Sequence, residues 1–119
     1  MAYRADDRLD TTFRDGDDIP VLPRLVFRGS SRASGAVEVM GSASFDELRP
    51  GGDALLTVIG GLAAGRLILE PGAILHIAGV VRVDSAVVKP NSRVVLGPAG
   101  RLAGSAASIL RLAATGEGR

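Results

Sequence analysis

The segment "LILEPGAILHI", Leu67 to Ile77, places a Pro-Gly pair between two runs of alternating apolar character. Pro presets φ for the second position of a tight turn, and Gly accepts the positive φ of the third. Two related segments flank it: "LRPGGDALLTV" (48–58) and "VKPNSRVVL" (88–96), which put prolines at 50, 71 and 90, a spacing of 21 and then 19. Each reads as strand, turn, strand. Alternation assigns Leu67, Leu69, Ala73, Leu75 and Ile77 to one face, continued by Val81 and Val83. A shift of 19 brings Val88, Val94, Leu96 and Leu102 into the same columns, and a shift back of 21 brings Leu48, Ala54, Leu56 and Leu62. Leu75 then lines up with Ala54 and Val94. Such columns are what a solenoid needs, because one turn of chain cannot bury its own apolar face.

The expected fold is therefore all-β, a short β-helix or solenoid of strand-turn-strand units, with a β-sandwich or jelly roll as the structural alternative. Composition agrees: 16 Gly and 6 Pro punctuate the chain, and 46% hydrophobic residues with only 3% aromatics mean a core of Val, Leu, Ile and Ala. At 119 residues one domain is expected, at residues 24–114. Ahead of it, residues 1–23 read as an extended acidic arm. Residues 1–18 hold six Asp against three Arg, while the remainder has 11 basic and 7 acidic residues, and Pro20 and Pro23 keep the chain extended. Oppositely charged arm and body attract, within one subunit or between neighbours. Residues 115–119 read as a polar tail. Residues 105–114, "SAASILRLAA", suit a helix with Ser105 or Ser108 as cap, and equally a last strand.

The outward positions are not cleanly polar. Leu55, Ile59, Ile68, Ile74, Val80, Val87 and Val95 stand there beside Asp53, Thr57, His76, Arg82, Lys89, Arg93 and Arg101. A sheet with one wet face alternates more strictly than this. Leu55, Ile68, Ile74, Val87 and Val95 are the candidate assembly surface.

Catalytic, cofactor-binding and metal-binding residues are not expected. The chain has no Cys, and His76 is its single His, so the multi-His sets of cupin-like metal barrels, which "PGAILHI" faintly resembles, cannot be assembled in one chain. His76 is expected at the outward parity between Leu55 and Val95. "VIGGLAAGRL" (58–67) lacks the Gly-Lys-Ser/Thr ending of a phosphate loop, and turn chemistry accounts for its glycines. Asp46, Glu47 and Glu70 suggest paired carboxylates, but Glu70 aligns with Arg49 and Lys89, and a site that accepts either sign faces solvent. Arg82, Arg93, Arg101 and Arg111 form a modest basic excess without interleaved aromatics, which argues against nucleic acid as a partner. The amino terminus has no apolar h-region and no segment has the length and apolar purity of a membrane span, so the expectation is a soluble protein, cytoplasmic or within a virus particle, with no secretion signal.

Columnar strand-turn-strand units over residues 25–114, a Val/Leu/Ile core and a body without helices resemble bactofilins, bacterial proteins whose β-helical domain polymerises end to end into filaments. A chain with no catalytic set, apolar residues on both sheet faces, the open ends of a solenoid and an oppositely charged arm is suited to self-assembly, so a non-enzymatic structural protein is expected. Its expected partners are further copies of itself and a larger shell protein, in a filament, scaffold or virus particle. The alternative is a small β module that binds a sugar or other ligand.

Overall fold

The computed structural model describes residues 7–9, 12–19 and 25–114, with the side chains of 12–17 and 25–114. Pro20 and Pro23 and the tail 115–119 lie outside the described residues. Three short strands open the chain: β1 (Asp7–Leu9), β2 (Thr12–Phe13) and β3 (Asp18–Ile19). Four coils follow, each a long strand and a short one: β4 (Leu25–Ala33) with β5 (Ala36–Val39), β6 (Ser42–Pro50) with β7 (Leu55–Val58), β8 (Gly61–Leu69) with β9 (Ile74–Ile77), and β10 (Val80–Val88) with β11 (Arg93–Leu96). β12 (Arg101–Ala103) begins a further coil, which α1 (Ala107–Ala113) ends. Long strands pair with long and short with short, in parallel, giving the orders β1-β4-β6-β8-β10-β12 and β11-β9-β7-β5-β3, with β2 also on β4. This is the β-solenoid that the columns of Leu and Val require.

The repeat is 19 residues through the central coils; it is 18 and then 17 between β4 and β6 and 21 between β10 and β12, which sets Leu102 on Val81 and not on Val83. Leu55 pairs with Ile74 and Ile74 with Arg93; Ser42 pairs with Gly61 and Gly61 with Val80. The 21-residue step expected from Pro50 is corrected by the register. Pro50 is the buried last residue of β6, paired with Ala33, and the turn follows it at Gly52–Asp53. Equivalent turns close between Gly51 and Ala54, Glu70 and Ala73, and Lys89 and Ser92, each by an N–H donated back three residues. Pro71 and Pro90 do hold the second turn position, followed by Gly72 at φ 92° and Asn91 at φ 70°. Leu75 accordingly stacks on Leu56 and Val94, not on Ala54.

Each long strand is two straight segments meeting at a corner. The ladder pairs Phe45 with Ala64 and Glu47 with Arg66, but leaves Asp46 and Gly65 between them unpaired, and it skips Asp84 in the next coil too. Buried positions in β8 fall at Leu62 and Ala64, then at Leu67 and Leu69, a step of three where strict alternation would give two. Each coil thus has three sides. Inward columns run through all of them, such as Val37–Leu56–Leu75–Val94 and Val39–Val58–Ile77, every member essentially inaccessible. At the corner after each short strand the coils approach too closely for side chains. A Cβ on Gly60 would lie 2.2 Å from the Gly41 carbonyl oxygen, and one on Gly79 would lie 2.0 Å from that of Gly60. Here Gly60 of the "IGG" stretch has its explanation.

The described part of residues 1–23 joins the sheets of its own subunit. β1 and β2 pair with β4 and β3 pairs with β5, and Phe13 is buried. Its ring meets Phe27 edge-on at 5.2 Å and Phe45 at 6.0 Å, while Phe27 and Phe45 stack at 4.9 Å. The aromatic column needs a cover, and this segment carries the only remaining Phe. At the other end, residues 107–113 are helical, Leu110 is fully buried over the last coil, and no side chain caps the helix start at Ala106. Leu110 thus covers the core at the C-terminal end, while Phe13 fills it at the N-terminal end, where β1 and β3 are the last strands of their sheets among the described residues. Among the described residues no helix is long and apolar enough to cross a membrane.

Candidate assembly surface

Each short strand contributes two outward residues to one flat side. They form two rows along the solenoid axis: Ala36, Leu55, Ile74, Arg93, and Glu38, Thr57, His76, Val95. Leu55 is 41% exposed, and Ile74, His76 and Val95 are half-buried. His76 stands between Thr57 and Val95, not between Leu55 and Val95, because the step is 19 residues. Met40 and Ile59, both exposed on the adjoining corner, extend the apolar patch, and sequence reasoning left both out of the surface.

The five residues selected from sequence do not share one side. Leu55, Ile74 and Val95 are on the short-strand side, whereas Ile68 and Val87 pair with one another on a long-strand side. Ile68 is also buried, at 4% exposure, and so is corrected out of the accessible set; Val87 is exposed. The register places Ile68 between Arg49 and Val87. The Arg49 side chain reaches Glu70 in the coil of Ile68, and the stem of an arginine can cover apolar surface while its head stays in water.

Beside Ile68 runs a ladder of charges. Arg49 donates to Glu47 at 3.0 Å and to Glu70 at 3.1 Å, and Lys89 donates to the other Glu70 oxygen at 2.9 Å. The hydrogen bond from Lys89, joined by Arg49, holds the Glu70 carboxyl below the ordinary carboxylate range against the opposing effect of desolvation. The hydrogen bond to Glu47, with Glu70 adding to it, raises the Arg49 guanidinium above its ordinary value. Alternation of sign at 49, 70 and 89, read from sequence as indifference to charge, is pairing between coils. Asp46 has a local task too. It accepts a hydrogen bond at 3.0 Å from the Gly29 N–H, where β4 bulges between Phe27 and Ser30.

A groove of about 360 Å³ lies on another side, lined by Val26, Ser42, Ser44, Gly61, Ala63, Val80 and Arg82. It exists because Ser42, Ser44, Gly61 and Ala63 are small and leave a hollow beside Val26, Val80 and Arg82. Among the described residues no group of three or more His, Cys, Asp or Glu is placed to hold a metal ion. On α1, Ile109 is 44% and Leu112 86% exposed, a second apolar feature at the covered end of the solenoid. No protein-family model, curated protein or solved structure matches the chain.

Proposed function

We propose that the protein is a non-enzymatic structural subunit that assembles with copies of itself, as a bactofilin-like polymer or scaffold or as a β-solenoid component of a larger shell such as a virus particle. The observation that carries this reading is the flat side on which Leu55 and Ile74 stand next to one another in adjacent coils, bordered by Met40 and Ile59. Contiguous exposed apolar residues on a rigid sheet surface mark contact sites. The helix that lays Leu110 over the last coil favours assembly through the sides of the solenoid over stacking at that end. Light scattering at several dilutions, with electron microscopy of the same samples, tests the proposal. A mass that rises with concentration is expected, and a constant monomer mass at every dilution overturns it.

A further inference from the structure

The short-strand side carries its charges at opposite ends. Glu38, in the first coil, and Arg93, in the fourth, are both exposed, and neither is in an ion pair with a described residue. Between them lie Leu55, Ile74, Thr57 and His76. The side is thus apolar at its centre, acidic at one end and basic at the other.

We propose that this side binds a second copy of the chain about a two-fold axis, with the two solenoid axes antiparallel. The inference rests on the self-assembly reading and specifies its partner and orientation. A two-fold along the strand direction, midway between the second and third coils, sets Leu55 opposite the partner's Ile74 and Thr57 opposite the partner's His76. It brings Glu38 level with the partner's Arg93, two strand positions away, or about 7 Å along the strand. An arginine side chain spans that distance, and symmetry makes the pair twice. The parallel arrangement sets Glu38 level with the partner's Glu38 and Arg93 level with the partner's Arg93, repulsive at both ends. Charge therefore selects the antiparallel orientation, while the apolar centre supplies the attraction. Four rungs spaced by about 4.8 Å, with strands of four residues, make a contact smaller than a standard interface, so association depends on concentration.

Sedimentation of the full chain tests this with Glu38→Arg, Arg93→Glu, the double variant, an equimolar mixture of the two single variants, and Ile74→Lys, each checked for wild-type circular dichroism. Each single reversal should weaken dimerisation by about tenfold at low salt. The double variant should recover it, because between identical copies the reversed charges meet again only in the antiparallel arrangement. The mixture, one side all basic and the other all acidic, should associate in either orientation, and its failure to do so overturns the role of charge. Ile74→Lys should abolish dimerisation. Single variants that weaken while the double variant does not recover, or single variants indistinguishable from wild type, overturn the orientation. Dimers that survive Ile74→Lys overturn the choice of side yet leave self-assembly standing. Only a wild-type chain that is monomeric throughout removes the underlying reading.

Discussion

Phe27 lies flat against Phe45 from the next coil, with ring centroids 4.9 Å apart and planes 14° from parallel, and Phe13 closes over both edge-on. Three aromatic rings thus fill the N-terminal end of a core otherwise built from aliphatic side chains. Truncating the middle of this cluster, Phe27→Ala, should cost about 3–5 kcal/mol, the range for a buried Phe. Phe13→Ala should uncover the other two rings and loosen the N-terminal strands. Urea unfolding measures the first effect. Hydrogen exchange at the amides of residues 12–19 measures the second.

Leu75 and Leu55 separate core from surface. Leu75 is inaccessible in the Val37–Leu56–Leu75–Val94 column, so Leu75→Ala should lower stability by about 2–5 kcal/mol. Leu55→Ser, at an exposed position, should leave stability within about 0.5 kcal/mol of wild type. Thermal unfolding of the two variants side by side checks the pair.

Ser31 occupies an inward position stacked on Leu48, and its hydroxyl has no hydrogen-bond partner. An unsatisfied buried hydroxyl costs about 1–3 kcal/mol. Ser31→Ala should therefore stabilise the fold by about 1 kcal/mol, read as a rise in the denaturation midpoint at unchanged slope.

The corner glycines should respond in proportion to the space around them. Gly79→Ala places a methyl group 2.0 Å from the backbone carbonyl of Gly60 and should cost about 1–3 kcal/mol or more. Gly61→Ala, whose nearest neighbour would be the Ser42 hydroxyl at 3.4 Å, should be nearly neutral. Equal midpoints for the two variants would contradict the close stacking of Gly60 and Gly79.

The ladder sets a direction for acid sensitivity. Because Glu70 titrates below its ordinary range in the folded chain, its contribution to stability is complete above the unfolded carboxylate value near pH 4.3. That contribution is lost as pH falls through the lower folded value. Glu70→Gln should flatten this part of the stability profile, leaving Arg49 with Glu47 alone. Denaturant midpoints measured between pH 7 and pH 3 for both proteins provide the comparison.

The sequence by itself determined the class of fold, because alternation over "LILEPGAILHI" and its flanking copies separates inward from outward residues wherever the strand runs straight. Leu67, Leu69, Leu75, Ile77, Val81 and Val83 are all buried where the alternation put them. It also identified Pro71-Gly72 and Pro90-Asn91 as turns, since their backbone angles are local properties. Only the tertiary structure decided the length of the repeat. Pro50 imitates a turn proline but is a core residue, and the true register is a matter of which coils touch. Tertiary structure likewise decided the sides. The turns at Glu70–Ala73 and Lys89–Ser92 put Ile68 and Val87 on a different side from Ile74 and Leu55, and the corners at Asp46, Gly65 and Asp84 interrupt the alternation and divide each long strand again; no one-dimensional pattern encodes a corner that arises from closing a coil on its neighbours. The choice of helix for residues 107–113, where propensity was balanced, was settled by what the last coil needed, a Leu110 to cover its exposed core.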